Sequence, residues 1–143
     1  MLNKRTKYAL HALLALANSG GNGPLSADRI AEEAHAPVKF LEAILAELAK
    51  AGIIVSRKGR GGGHQLARKP KDIPMTEVIR LFNGAIALVP CVSLNFYEAC
   101  AECPDEATCA VHDVFMEVRI ATVRMLEKAT LADLLRRQRR KSH

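Results

Sequence analysis

Residues 38–70, "VKFLEAILAELAKAGIIVSRKGRGGGHQLARKP", change their periodicity halfway along. Phe40, Leu41, Ile44, Leu45 and Leu48 share one stripe of a helix, and Gly52 follows as the residue that ends it. Next come a β-branched run, a glycine-rich turn carrying Arg57, Lys58 and Arg60, and a second run with Leu66 and Ala67 on one side and Gln65 on the other. That pattern is a hairpin with a cationic tip. "GRGGG" is a poor nucleotide cradle, because it lacks the G-x-x-x-x-G-K-[ST] order and leads into a strand instead of a helix N-terminus. Glycine backbone with Lys and Arg heads suits phosphates or a narrow minor groove, and the helix ahead of it suits the major groove.

Upstream, Tyr8, Ala9, Ala12, Leu13 and Leu16 recur at helical spacing between Asn3 and Asn18, and "NSGGNGP" stops that helix. Ser26 is an N-cap for "ADRIAEEA"; Arg29 stands where a capping box would need Glu or Gln. "HAP" then breaks the chain before the stretch at 38. Two short helices joined by a tight turn make a helix-turn-helix, and the hairpin adds the wing. The expected fold is mainly α: a winged helix-turn-helix DNA-binding domain over 1–71 with a small β-hairpin wing, and a long C-terminal dimerisation helix.

Downstream, "CVSLNFYEACAECPDEATCAVH", residues 91–112, holds all four cysteines of the chain. At 143 residues the chain buries a core without staples, so disulfides are not needed for folding. The N-terminus is too charged for a secretory signal and its apolar run too short to span a membrane, so a cytoplasmic, non-membrane protein is expected. In a reducing cytosol clustered cysteines serve as metal ligands or redox thiols. Cys91-x8-Cys100-x2-Cys103-x5-Cys109-x2-His112 offers soft thiolates and an imidazole, which suit an iron–sulfur cluster or Zn²⁺ and exclude hard Ca²⁺ and Mg²⁺ sites. Thr108 is expected to N-cap a helix starting at Cys109, which places Cys109 and His112 on one face and lowers the Cys109 thiol pKa.

Val111, Phe115, Val118, Thr122, Met125 and Ala129 alternate spacings of four and three, a repeat that packs a helix against a partner helix. A homodimer reading two half-sites of a palindrome-like duplex operator follows from two-fold symmetry. The alternative is an amphipathic helix lying on its own domain. Thr130 caps a last short helix, "LADLLRRQ". Organisation then divides at 72–108, a connecting helix and cysteine loop, and at 109–143, the dimerisation helix, last helix and basic tail. Charge follows these divisions: twelve Lys+Arg face five Asp+Glu over 1–71, four face ten over 72–135, and five basic residues close the chain. The tail reads as a solvated, disordered terminus or as a nucleic-acid contact. No Ser/His/Asp or paired-carboxylate arrangement stands out, so no enzyme is expected.

From "KYALHALLALA" through the stretch at 38–70 to "CPDEATCAVH" and "ATLADLL", the chain resembles the winged-helix iron–sulfur repressors, the family of the iron–sulfur cluster regulator and the nitric-oxide-sensing repressor. The resemblance implies a homodimer holding a [2Fe–2S] or [4Fe–4S] cluster in the cysteine loop. Its ligand pattern falls on Cys91, Cys103 and Cys109, with Cys100 or His112 as the fourth; Cys100 is an added thiol in a longer loop. Lys7 stands where the nitric-oxide sensor has a coordinating aspartate, which weakens that assignment, and His11 stands where a redox-sensing relative has a histidine ligand.

For DNA the matched positions are Lys39, Phe40 and Glu42 on the recognition helix and Arg57, Lys58, Arg60, Gly61, Gly62, Gly63 and His64 in the wing. Glu42 can accept from cytosine N4. Phe40 as a core residue and Glu42 as a solvated face are the structural alternatives. The expected function is a homodimeric transcription regulator, a repressor, whose [2Fe–2S] cluster senses redox state or cluster supply. Its rivals are structural zinc on the same cysteines, a thiol/disulfide switch at Cys100 and Cys103, and an electron-transfer or cluster-delivery protein.

Overall fold

In the computed structural model, which describes residues 1–143, Asn3 and Asn83 together tie the start of the first helix in place. Asn3 caps α1 (Lys4–Asn18): its Oδ1 accepts from the Thr6 backbone N–H and hydroxyl, both at 2.8 Å. The Asn3 side-chain amide donates to the Phe82 carbonyl at 2.9 Å, and its backbone N–H donates to Asn83 Oδ1 at 2.7 Å. Ala9, Ala12, Leu13 and Leu16 are buried, as their helical spacing requires. α1 thereby becomes the hub on which the other helices pack.

α2 (Ala27–Ala34) begins with Ser26 Oγ accepting from Arg29 N–H at 3.2 Å and ends at His35, which adopts the left-handed conformation (φ 52°). That residue reverses the chain within "HAP" and launches α3 (Val38–Lys50). Leu41, Ile44, Leu45 and Leu48 are buried, and Gly52 (φ 76°) closes the helix. Phe40 departs from the expected stripe. It is 44% exposed, with its ring edge-on to Tyr8 at 5.7 Å between centroids.

The wing is a two-stranded antiparallel sheet, β1 (Ile54–Arg57) and β2 (Gly63–Leu66), with Ile54 opposite Leu66 and Arg57 opposite Gly63. Ala67 falls beyond the strand and is exposed. Leu25 forms a bridge to His64, with N–H to carbonyl distances of 2.9 and 2.7 Å, so the chain ahead of α2 anchors the base of the wing. A Cβ on Gly62 would lie 2.3 Å from the Arg57 carbonyl oxygen, and one on Gly63 would lie 2.7 Å from that of Leu25. Two of the three consecutive glycines are therefore required by the wing's own tight backbone.

Arg68 leaves the wing and clasps Glu77 through two hydrogen bonds of 3.0 and 2.6 Å, fixing α4 (Met75–Phe82). Residues 84–108 then run irregularly, with single turns of 3₁₀ helix at Pro90–Val92 and Glu106–Thr108. α5 (Ala110–Lys128) follows, and α6 (Leu131–Lys141) returns to the core. Met75 N–H donates to the Ala129 carbonyl and Leu131 N–H to that of Ile73, each at 2.9 Å. Thr130 and Asp133 make a capping box, and α6 continues helical to Lys141, past the expected short helix and through the tail read as disordered. No helix is long and apolar enough to cross a membrane.

α5 divides its apolar residues between two faces. Phe115, Met116, Val123 and Leu126 are buried or half-buried against their own chain, whereas Val111, Val114, Val118, Ala121 and Met125 are exposed along one stripe, with Ile120 exposed beside it. That stripe has spacings of three, four, three and four. The outward seam is thus rotated from the sequence pattern. It keeps Val111, Val118 and Met125, and replaces Phe115 and Thr122 by Val114 and Ala121.

Candidate nucleic-acid interface and metal centre

Lys39, Phe40 and Glu42 project from the first turns of α3 and are exposed, which the buried Leu41 and Ile44 impose by turning the opposite stripe into the core. Arg57, Lys58, Arg60 and Gly61 are exposed at the wing tip. Gly62, Gly63 and His64 are half-buried at the base of the turn. His64 Nδ1 shares a hydrogen bond of 2.7 Å with the Ser56 hydroxyl across the strand pair. Partial burial pulls the His64 pKa down, and the Glu42 carboxylate opposes that pull. The Glu42 carboxylate of the recognition helix thus acts electrostatically on an imidazole of the wing. Position, exposure and charge suit a duplex: an exposed helix face carrying one aromatic and one carboxylate, flanked by three cations on a projecting turn.

At the other end of the molecule Cys91, Cys100, Cys103, Cys109 and His112 line a single cavity of about 410 Å³ at the head of α5. Cys109 itself is the N-cap of α5: its Sγ accepts the His112 N–H at 3.4 Å. Thr108 instead ends the preceding 3₁₀ turn, so the cap falls one residue later than the sequence suggests. The His112 N–H holds the Cys109 thiol pKa below its ordinary value, and a hydrogen bond with the Cys103 thiol adds to the effect. Partial burial, followed by that same bond, raises Cys103. Partial burial raises Cys91, and the Glu106 carboxylate adds to it. Cys100 is exposed and lies 3.2 Å from Glu102 Oε2.

His112 Nδ1 is buried with no hydrogen-bond partner. An unpaired buried ring nitrogen costs stability unless something fills it. Four cysteines and a histidine lining one cavity fit a thiolate-bound cluster or Zn²⁺ in donor type. No three of the Cys, His, Asp and Glu side chains converge at ligating distance, so binding requires the irregular 91–108 segment to draw inward onto the head of α5. His11 is exposed on α1 and does not line this cavity; neither does Lys7.

Arg119 is the residue that sequence reasoning missed. Its Nε donates to the Val92 carbonyl at 2.9 Å, pinning the residue after Cys91 to the middle of α5. A charged residue interrupting the inward face between Met116 and Val123 is the only sequence signal of that role. A Tyr97–Glu106 hydrogen bond ties the middle of the loop to its last 3₁₀ turn and pushes the Tyr97 hydroxyl pKa up.

Comparison with known proteins covers nearly the whole chain. The family model described as "Rrf2: Iron-dependent Transcriptional regulator" matches residues 2–137. An rrf2-like HTH-type transcriptional regulator of Rhodobacter capsulatus is 39% identical over 138 residues, covering 94% of this chain and 92% of that protein. Among solved structures, CymR, the global cysteine regulator of B. subtilis, superposes with a TM-score of 0.76 at 27% identity over 94% of this chain and 95% of its own. The T. potens IscR structure gives 0.74 at 28% identity over 96% and 88%. The chain belongs to the Rrf2 family and is a winged helix-turn-helix transcriptional regulator.

Proposed function

We propose that this regulator acts as a homodimeric repressor whose affinity for a palindrome-like duplex operator is set by an iron–sulfur cluster, [2Fe–2S], held in the cysteine loop. The gathering of all four cysteines and His112, whose Nδ1 is buried and unpaired, around one cavity at the head of α5 carries this reading. Cys91, Cys103 and Cys109 would hold the cluster, with Cys100 or His112 as fourth ligand. A bound [2Fe–2S] cluster supplies one-electron redox chemistry and sensitivity to oxidants. The protein's part is mechanical. Cys91 and Cys109 anchor the two ends of the loop, and Arg119 passes the position of residue 92 to α5. The exposed seam of α5 pairs with a second copy, so a shift of this helix alters the spacing and tilt of two recognition helices. Lys39, Phe40 and Glu42 enter the major groove; Arg57, Lys58 and Arg60 lie along phosphates or the minor groove.

A second reading rests on the free thiols of Cys100, Cys103 and Cys109, which line one cavity. A low-pKa thiol beside another thiol suits a reversible disulfide, or structural zinc, in place of the cluster. Iron, acid-labile sulfide and zinc are measured per protomer on anaerobically purified protein, with acid-trapped thiol counts. About two irons and two sulfides, lost in Cys103→Ser and Cys109→Ser, establish the cluster. Stoichiometric zinc, or a disulfide with no sulfide, establishes the second reading.

A further inference from the structure

The most concentrated positive charge in the molecule lies outside both sites, on α6. Arg136, Arg137, Arg139, Arg140 and Lys141 occupy its last turns and are all exposed. Among them only Arg136 has an acidic partner, Asp133. Cations in a last turn favour the helix dipole, but that effect fades within a turn and leaves most of this charge without an intramolecular purpose. The helix is also held rigidly. Leu131 is fully buried, Leu134 and Leu135 pack against the core, and Gln138 accepts a 2.8 Å hydrogen bond from the Asn18 side chain.

That last contact fixes where the charge points. The start of α1 is tied to Phe82 and Asn83 on α4, the side that carries α5. Its other end, at Asn18, leads into the loop that pairs with the wing through Leu25 and His64. α6 starts beside Ile73 and reaches Asn18 at Gln138, so it runs alongside α1 toward the wing end. Arg139 and His143 share a surface hollow with Asn18, and Asn18 shares the adjoining one with Leu25 and Arg29. The cationic end of α6 is thus continuous with the flank of the helix-turn-helix.

We propose that the end of α6 is a third DNA-binding element, in which Arg137, Arg139 and Arg140 hold backbone phosphates flanking the segment read by α3 and the wing. This rests on the duplex-binding reading above. Charge complementarity selects the partner: closely spaced guanidinium groups on a tethered helix match a regular row of phosphates. Such contacts add affinity and salt dependence without sequence preference.

The test uses full-length protein and a duplex enriched by that protein from a random-sequence pool, in two lengths differing by one helical turn, about 10 bp, at each end. Anisotropy titrations over a range of salt compare wild type, the triple variant Arg137→Gln/Arg139→Gln/Arg140→Gln, and the wing variant Arg57→Gln/Lys58→Gln/Arg60→Gln. Circular dichroism checks that each remains folded. The expected result is that wild type gains affinity on the longer duplex and the triple variant does not. The variant's slope of log K against log salt becomes shallower by about two or more, at about 0.9 per phosphate, with preference for the selected sequence retained. Equal slopes and equal length dependence in wild type and triple variant, with binding lost in the wing variant, overturn the α6 proposal alone. Absence of duplex binding by wild type overturns the duplex-binding reading itself. An acidic protein partner for α6 belongs with the equal-slope outcome.

Discussion

At the residue scale, the glycines and cysteines each turn out to serve geometry as well as chemistry. The triplet at 61–63 reads from sequence as backbone laid against DNA, yet Gly62 is confined by the Arg57 carbonyl and Gly63 by the Leu25 bridge. Gly61, exposed and with open space around its missing side chain, is the member of the triplet free to approach a phosphate. Gly62→Ala should lower unfolding free energy by about 1–3 kcal/mol in denaturant titrations, because backbone must move to admit the Cβ. Gly61→Ala meets no atom and should cost about 1 kcal/mol, through its left-handed backbone alone. Cys109 shows a second limit of sequence reading. Thr108 looked the better cap by residue type, but the thiol one position later takes the His112 N–H, which joins the cap and the lowered thiol pKa in one atom. Spacing showed that Cys109 and His112 belong together; it did not show that the imidazole nitrogen would be left buried and unpaired.

At the element scale, the first three helices and the wing were legible because each is bounded by a strong local signal: Asn3, Ser26, the "HAP" break, Gly52 and the glycine turn. α5 was legible as a helix, but its seam was not, since one set of apolar residues serves two surfaces and periodicity alone cannot divide them. The division is set by long-range packing, through α4 and the 3₁₀ turn at Pro90–Val92. Arg119 belongs to the same class of hidden contact, 27 residues from its partner Val92. In the proposed mechanism it carries movement of the loop to the middle of α5. Arg119→Met keeps the apolar stem and removes the donor to Val92. We expect this variant to bind the cluster and to bind DNA, with the ratio of DNA affinities between loaded and stripped protein reduced toward one. A ratio equal to wild type, read by the same titration, would show that the loop reaches α5 another way.

At the scale of the whole molecule, the two ends differ in chemistry: a cationic reading head at one end, and a thiol-lined cavity with an exposed apolar helix at the other. Val118 is 39% exposed and Met125 is 75% exposed, figures that support the proposed pairing of α5 with a second copy. Val118→Glu combined with Met125→Glu should convert the dimer to monomer in sedimentation. Duplex affinity should fall by at least about tenfold, since each half-site is then bound alone. The α6 contact, if added to this head, lengthens the footprint without changing what is read. The central claim is that the cysteine cavity governs the reading head across the length of α5. It is tested most directly by titrating one selected duplex with anaerobic, cluster-loaded protein and with the same preparation after iron removal. The two affinities should differ by about tenfold or more, an amount matching an ordinary coupling free energy. Equal affinities in the two states, with iron loss verified, would contradict it.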